Sequence, residues 1–216
     1  MKDQRMRSVL LICIGLLPLT LAASEARAGD FDYYVLALSW SPTWCALEGD
    51  SRDAAQCDEG TDQGWTLHGL WPQYDEGWPQ YCQTTHRPPS RALNRAMADI
   101  MGSAGLAGYQ WRKHGTCSGL SGPAYHVLAR EAYQRVTRPE TLRTLSAPTR
   151  LPAKSVERAF LDANPGWTPD MLTITCRAGR IQEARLCLTR ELDPVACGTD
   201  VVRDCRATDA LMAPIR

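Results

Sequence analysis

Residues 65–72 have the sequence WTLHGLWP. His68 lies beside Gly69, between two tryptophans and ahead of a proline. Glycine allows close approach to the backbone, and proline restricts the conformation of the chain. The stretch therefore predicts a rigid, half-apolar wall that presents one imidazole.

A second segment, YQWRKHGTC at residues 109–117, carries another histidine. If its first six residues are helical, Gln110 and His114 lie four apart and Lys113 lies three from Gln110, so their side chains project to one side. An imidazole, an ammonium group and an amide on one helix face, opposite His68, predict a site for an anionic reaction centre.

Two histidines suit a reaction that removes one proton and delivers another, because the ordinary imidazole pKa is about 6.5. Cleavage of a phosphodiester by an internal 2′-hydroxyl needs this division of labour. One imidazole takes the 2′-OH proton, an imidazolium protonates the leaving 5′-oxygen, and a lysine stabilises charge that develops at phosphorus. This chemistry requires no metal or other cofactor, and DNA would be bound but not cleaved because it lacks the 2′-hydroxyl.

The composition limits the class of protein. The chain has 216 residues, 44% of them hydrophobic, which is enough for one well-packed domain but not for two large ones. Its 24 basic and 24 acidic residues balance, so no broad cationic surface for duplex DNA is expected. This composition excludes a membrane transporter, a long coiled coil, a collagen-like fibre and an acidic disordered tail.

The N-terminus has the features of a secretory signal peptide. Basic residues precede an apolar run at residues 9–23, and Ala26-Arg27-Ala28 follows. The run is shorter than the roughly 20 residues of a spanning helix, which favours a cleaved signal at residues 1–28 over an uncleaved anchor. The predicted mature chain, residues 29–216, is secreted or periplasmic, has no membrane attachment and is expected to be a monomer.

The predicted signal carries four basic and two acidic residues, so the mature chain has a formal charge of −2. A polyanion must therefore be held by a local cluster of cations. Cys13 leaves with the signal, and eight cysteines remain. An even number in an exported chain predicts disulfides, although spacing alone does not choose among the possible pairings. Zinc binding is disfavoured because no C-x-x-C occurs.

Hydrophobic patterns predict both strands and helices. Three segments have the residue pattern of strands, the last two as a hairpin: 31–39, 171–176 and 181–188. Three others have apolar residues at helical spacing: 90–101, 121–136 and 155–163. Residues 43–62 are predicted to be a loop held by cysteines. We expect a single α+β domain, with an antiparallel sheet packed against several helices and stapled by disulfides.

Together, WTLHGLWP and WRKHGTC resemble the two active-site segments of the ribonuclease T2 family of secreted endoribonucleases. Three further stretches give support, resembling the opening strand, a later helix and a late strand of that family: 31–42, 155–165 and 181–187. The resemblance covers most of the mature chain. It implies a metal-independent catalytic domain at 29–216 that cleaves single-stranded RNA to 2′,3′-cyclic phosphates.

The resemblance also implies a role for each matching residue. His68 matches the histidine usually assigned as general acid toward the leaving oxygen, and His114 matches the usual general base. Lys113 matches the lysine that stabilises the pentacoordinate state. Trp71 matches an aromatic that stacks on a base in some members, and packing in the core beside Pro72 is the alternative.

The chain departs from the family pattern at one predicted catalytic residue, Gln110, and at one predicted substrate-binding residue, Tyr109. Many members have Glu in place of Gln110 and His in place of Tyr109. Gln110 can donate a hydrogen bond to a phosphoryl oxygen but cannot ionise, and Tyr109 offers a hydroxyl but no imidazolium. Because the histidine pair is intact, activity is expected, at a reduced rate. The alternatives are a catalytically impaired secreted RNA-binding protein on the same fold and, with less support, a hydrolase of another substrate.

The family further implies how the eight cysteines pair: Cys45–Cys57, Cys82–Cys117, Cys187–Cys197 and Cys176–Cys205. Cys117 follows His114 by three residues. A bond between Cys82 and Cys117 would therefore fix the end of the helix that carries the second histidine.

Overall fold

The computed structural model describes residues 27–216. The predicted signal peptide at residues 1–28 lies almost entirely outside these described residues. Within them, no helix combines the length and the apolar character needed to cross a bilayer.

A six-stranded sheet lies at the centre of residues 27–216. Its strands are β1 (Tyr33–Trp40), β2 (Trp65–Gln73), β3 (Thr149–Leu151), β4 (Leu172–Arg177), β5 (Arg180–Leu188) and β6 (Ala210–Met212). They follow the order β2-β1-β5-β6-β3, and β4 also pairs with β5. The pairings of these strands are antiparallel except for one parallel contact between Arg180 and Leu211.

The helices of the described part are α1 (Ser41–Trp44), α2 (Arg91–Ala96), α3 (Ala98–Met101), α4 (Ala104–Lys113), α5 (Gly122–Arg135), α6 (Glu140–Arg143) and α7 (Ala153–Ala163). Serine hydroxyls cap the beginnings of α2, α4 and α5, because each accepts a hydrogen bond from a backbone N–H three residues further on. The capping residues are Ser90, Ser103 and Ser121.

Strand alternation gives the sheet two different faces. On one face, Leu36 and Leu38 of β1 pack with Leu186 of β5 in the main core, together with Tyr125 of α5 and Phe160 of α7. On the opposite face, β1 presents the side chains of Val35 and Ser39 to two cavities. The helices therefore cover one face of the sheet and leave part of the other for ligands.

The predicted α+β class is confirmed, and most predicted elements are present. The first strand, the hairpin and the helices that begin near residues 121 and 155 lie within a few residues of their predicted positions. The loop predicted at residues 43–62 contains α1 and short 3-10 and π turns as well.

The single helix predicted over residues 90–101 is wrong. It is divided at Met97 into α2 and α3, because the Met97 N–H donates to the carbonyl oxygen of Asn94, an i to i−3 bond that interrupts the α-helical ladder. Leu93, which shares the apolar spacing of this segment, is 38% exposed. Tertiary packing has therefore overridden a periodic pattern that looked continuous in the sequence.

Four disulfides connect the described chain: Cys45–Cys57, Cys82–Cys117, Cys176–Cys205 and Cys187–Cys197. These are the four pairs that the family resemblance implied. The Cys82–Cys117 bond lies directly after α4, and the Tyr81 N–H donates a 2.8 Å hydrogen bond to the carbonyl of Lys113. The loop at residues 81–82 is thus fixed to the C-terminal end of α4.

Candidate active site

His68 owes its position to an irregularity in strand β2. In the pairing of β1 with β2, Ala37 lies opposite Gly69, while the next residue of β1, Leu38, lies opposite Leu67. His68 is therefore an extra residue in a β-bulge.

The bulge changes the face to which the following residues point. Leu67 and Leu70 are three apart, yet both are buried in the main core. His68 and Trp71, also three apart, both line a cavity on the opposite face of the sheet. Regular alternation would have placed one member of each pair on the wrong side.

The C-terminal end of α4 supplies the second group of side chains. Gln110 and His114 lie one turn apart, and the N–H of His114 donates a 2.9 Å hydrogen bond to the Gln110 carbonyl. Both side chains are buried, and Lys113 is half-buried. All three line the cavity that His68 lines, so the fold brings the two histidine segments together.

The indole of Trp71 contacts both histidines. It stacks on His114 with ring centroids 5.2 Å apart and planes inclined by 27°. It meets His68 edge-on, with centroids 5.1 Å apart. Trp71 is only half-buried and lies on the cavity face. It therefore does not pack in the main core beside Pro72, which was the alternative prediction.

A hydrogen bond also joins the two segments. Nε1 of Trp71 donates to Oε1 of Gln110 over 2.8 Å. An indole N–H needs an acceptor, so the amide oxygen of Gln110 faces Trp71. A Cβ atom on Gly69 would overlap both of these atoms, and the glycine of WTLHGLWP is therefore needed for this contact.

Two cavities meet at the candidate site. The first, of about 440 Å³, has a lining that includes His68, Trp71, Gln110, Lys113, His114 and Arg185. The second, of about 620 Å³, shares His68 and Tyr109 with it and extends toward α1. An extended ligand can therefore pass His68 with room on both sides.

Burial controls the protonation of His114. The residue is 5% exposed, and burial, reinforced by the charges of Lys113 and His68, lowers the pKa of His114 from 6.5 to about 3. Its Nδ1 is buried without a hydrogen-bond partner among the described residues. At neutral pH the imidazole is therefore uncharged and able to accept a proton.

His68 has the opposite environment, because its Nδ1 lies 2.6 Å from Oε1 of Glu183. Burial alone would raise the pKa of Glu183, but the hydrogen bond and charge of His68, with the guanidinium of Arg185, outweigh it and lower the pKa to about 2. Glu183 is thus an anion. The anionic carboxylate therefore faces Nδ1 of His68.

Two further residues of the site, Glu183 and Arg185, were not predicted from the sequence. Both lie on β5, two residues apart, and Arg185 makes two hydrogen bonds of 2.9 Å and 2.8 Å to Oε2 of Glu183. The available sequence feature was an acid and a base at alternate positions of a predicted strand, which places both on one face.

The cavity opens toward two exposed aromatic rings. Trp78 is 54% exposed and lines the first cavity, and Tyr109 is 39% exposed and lines both. The Lys113 ammonium group lies 5.9 Å from the centre of the Tyr109 ring. Arg112 is exposed and does not line either cavity.

Within residues 27–216, one group of side chains has metal-ligand spacing: Cys45, Asp50 and Cys57. Its two sulfur atoms are bonded to each other, so neither is a thiolate that could bind a metal. This group is not a metal site.

Comparison with known proteins places these residues in context. A model described as the ribonuclease T2 family matches residues 31–197 of the chain. The chain belongs to the ribonuclease T2 family. The matched range contains both histidine segments as well as Glu183 and Arg185 of β5.

Two ribonucleases illustrate its relationship to the ribonuclease T2 family. A ribonuclease of Aeromonas hydrophila is 35% identical over 202 residues, which cover 89% of this chain and 90% of that protein. Ribonuclease I of Escherichia coli K12 is 29% identical over 162 residues, which cover 55% of this chain and 60% of that protein.

Solved structures share the fold. RNase NT, determined in complex with 5′-AMP, aligns with a TM-score of 0.65 at 19% identity and covers 87% of this chain and 100% of its own. An RNase-related protein from Calystegia sepium aligns with a TM-score of 0.64 at 20% identity, and the alignment covers 86% of this chain and 97% of that protein. At these identities the likeness establishes the ribonuclease T2 fold alone.

Proposed function

We propose that this chain cleaves single-stranded RNA by attack of the 2′-hydroxyl on the adjacent phosphorus, with His114 as general base and His68 as general acid. One observation carries the proposal: both imidazoles contact the Trp71 indole and line a single cavity together with the Lys113 ammonium group. As a member of the ribonuclease T2 family, the chain is a T2-type endoribonuclease.

The environment of His114 suits a proton acceptor, and the environment of His68 suits a proton donor. The lowered pKa of His114 leaves its imidazole neutral, as a base must be. His68 lies against the anionic Glu183, which can compensate the positive charge that a proton donor carries. The family assignment of base and acid agrees with these two environments.

In the proposed step, one bond to phosphorus forms as another breaks, and one proton is removed as another is delivered. The 2′-OH proton passes to His114 while the bond from the 2′-oxygen to phosphorus forms. The bond from phosphorus to the 5′-oxygen breaks, and the proton of His68 passes to that oxygen. The products are a 2′,3′-cyclic phosphate and a free 5′-hydroxyl, and Lys113 stabilises the negative charge of the pentacoordinate state.

RNA is proposed to bind in single-stranded form. Trp71 and Trp78 offer aromatic surfaces to unpaired bases, and base stacking of this kind contributes about 1–3 kcal/mol per base. Tyr109 can add a hydroxyl contact to phosphate. DNA can occupy the same surface but has no 2′-hydroxyl to attack phosphorus.

The proposal includes export from the cytoplasm. The sequence features of residues 1–28 are those of a cleaved signal peptide, and the four disulfides of the described chain suit an oxidising compartment. The mature enzyme is therefore proposed to be secreted or periplasmic.

The function is tested by incubating the mature protein with RNA and with single-stranded DNA in the presence of EDTA and analysing the ends of the products. We expect RNA to be cut to 2′,3′-cyclic phosphates and DNA to stay intact. His68→Ala and His114→Ala should each lower kcat by about 10²–10⁴-fold. RNA that is bound but not cleaved would instead identify a catalytically impaired RNA-binding protein. The presence of Gln110 in place of the glutamate of many family members would explain that result.

A further inference from the structure

A buried carboxylate lies behind one of the two proposed proton-transfer groups. Glu183 is 2% exposed. Its Oε1 contacts Nδ1 of His68 at 2.6 Å and accepts a 3.3 Å hydrogen bond from Ser39. Its Oε2 accepts the two hydrogen bonds from Arg185. Both carboxylate oxygens are therefore used, one toward His68 and one toward Arg185.

The sheet register explains how this contact crosses a strand. In the pairing of β1 with β5, Ser39 lies opposite Glu183 and Ala37 lies opposite Arg185. Ala37 also lies opposite Gly69 of β2. The side chain of β1 at this level is only a methyl group, so it leaves space for His68 of β2 and Glu183 of β5 to meet above it.

Arg185 fixes the carboxylate in this position. Its Nε and Nη2 both donate to Oε2, so two donors of one rigid guanidinium fix the position of this oxygen. Its guanidinium carbon also lies 5.5 Å from the centre of the Trp71 ring. The pair Glu183–Arg185 thus contacts both His68 and the indole of Trp71.

We propose that Glu183, anchored by Arg185, is a positioning residue that holds His68 in the Nδ1–H form, so that Nε2 is directed at the leaving oxygen. This inference rests on the proposed function and adds a third element, strand β5, to the site. The carboxylate also compensates the positive charge of the imidazolium before the proton is delivered.

Glu183→Gln gives a sharp test, because Arg185 specifies how the new amide is oriented. The two N–H groups of Arg185 require an acceptor, so the amide oxygen takes the place of Oε2 and the NH₂ group faces Nδ1 of His68. A donor there selects the opposite, Nε2–H tautomer. We expect kcat to fall on the order of 10²-fold with a smaller change in KM.

The tautomer is read directly by ¹⁵N NMR of the imidazole of His68 in the ligand-free protein, without reference to activity. The wild type should show neutral His68 as Nδ1–H, and Glu183→Gln should show it as Nε2–H. Adding Arg185→Ala to Glu183→Gln lets the amide rotate and should restore part of the Nδ1–H form.

Glu157→Gln is the matched control. Glu157 is another buried carboxylate, 3% exposed, but it pairs with Lys154 on α7 and lines neither cavity. This control should keep the wild-type kcat and His68 tautomer. A Glu183→Gln protein that keeps both would overturn the proposal. Absence of RNA cleavage by the wild type would instead contradict the proposed function and leave the tautomer measurement valid.

Discussion

Trp71 and Gln110 are joined by a 2.8 Å hydrogen bond from the indole Nε1 to the amide Oε1. This bond connects the bulged strand β2 to the end of α4 and holds the indole against the imidazole of His114. A carboxylate at position 110 could accept the same bond. Compared with the glutamate of many family members, the Gln110 amide therefore keeps the geometry of the site and lacks only the negative charge.

Gln110→Glu should restore that charge. A carboxylate one helical turn from His114 stabilises its imidazolium, so the pKa of His114 should rise from about 3. We expect kcat near neutral pH to increase on the order of 10-fold, since one oriented electrostatic contact is regained. Steady-state kinetics on a dinucleotide measure this. Gln110→Ala, which removes the partner of Trp71, should lower kcat, and an equal rate for both variants would argue against the role of the charge.

Gly69→Ala should disrupt the link between the two segments. The new Cβ would overlap Nε1 of Trp71 and Oε1 of Gln110, which must then move apart. We expect a loss of about 1–3 kcal/mol in the free energy of unfolding and a clear fall in kcat. Urea denaturation and kinetics measure the two effects.

Gly105→Ala in α4 is the control for this change. Within 4 Å, its Cβ would meet only the Ser103 hydroxyl at an ordinary contact distance. An alanine inside a helix should keep or slightly raise stability. If both glycine variants behaved alike, steric overlap at Gly69 would not be the cause.

The acidic limb of the pH–rate profile should lie unusually low. The general base must be neutral, and burial, then Lys113, then His68 lower the pKa of His114 to about 3. We expect kcat/KM, which reports the free enzyme, to remain high well below the ordinary imidazole pKa of about 6.5. Lys113→Gln should move this limb to higher pH and lower kcat by about 10²–10³-fold. An acidic limb near the ordinary imidazole pKa in the wild type would refute the assignment of His114 as base.

Folding stability should fall in acid for a related reason. The pKa of His114 is about 3 in the fold and 6.5 as its ordinary value, so below the higher value the unfolded chain binds a proton that the folded chain does not. This costs about 3 kcal/mol by about pH 4. The pKa of Glu183 is lowered from its ordinary value of 4.5 to about 2 in the fold. The ionised Glu183 therefore stabilises the folded protein at pH values above 4.5, and this contribution is lost as the pH falls toward 2.

Urea denaturation at several pH values measures the effect. His114→Asn should flatten the dependence of stability on pH between about pH 6.5 and about pH 4.5, where the contribution of Glu183 is complete and does not change with pH. An unchanged slope in that variant would show that another group is responsible.

Removing the Cys82–Cys117 disulfide should impair activity together with stability. The bond lies directly after α4, three residues beyond His114. The double Cys→Ser variant should lose about 2–4 kcal/mol of stability and most of its activity. Removing Cys176–Cys205, which closes a loop of similar length, should cost similar stability but spare the activity of the folded protein. Full activity without Cys82–Cys117 would contradict the prediction.

The sequence predicted the elements whose evidence is local. The strand at residues 31–39, the hairpin, and the helices near residues 121 and 155 follow from hydrophobic period and capping, which depend on neighbours in the chain. The projection of Gln110, Lys113 and His114 to one side follows in the same way from helix geometry. The break at Met97 could not be predicted, because it depends on packing against distant elements.

The chain sequence by itself determined the two histidine segments, the family and the composition of the site. Only the tertiary structure decided that His68 is the bulged residue of β2, that Trp71 contacts both imidazoles, and that Glu183 of β5 faces His68 across β1. The physical reason is range. Helical period and capping act over a few residues, whereas strand register joins residues 115 positions apart, and a shift of one residue would turn Glu183 to the other face of the sheet.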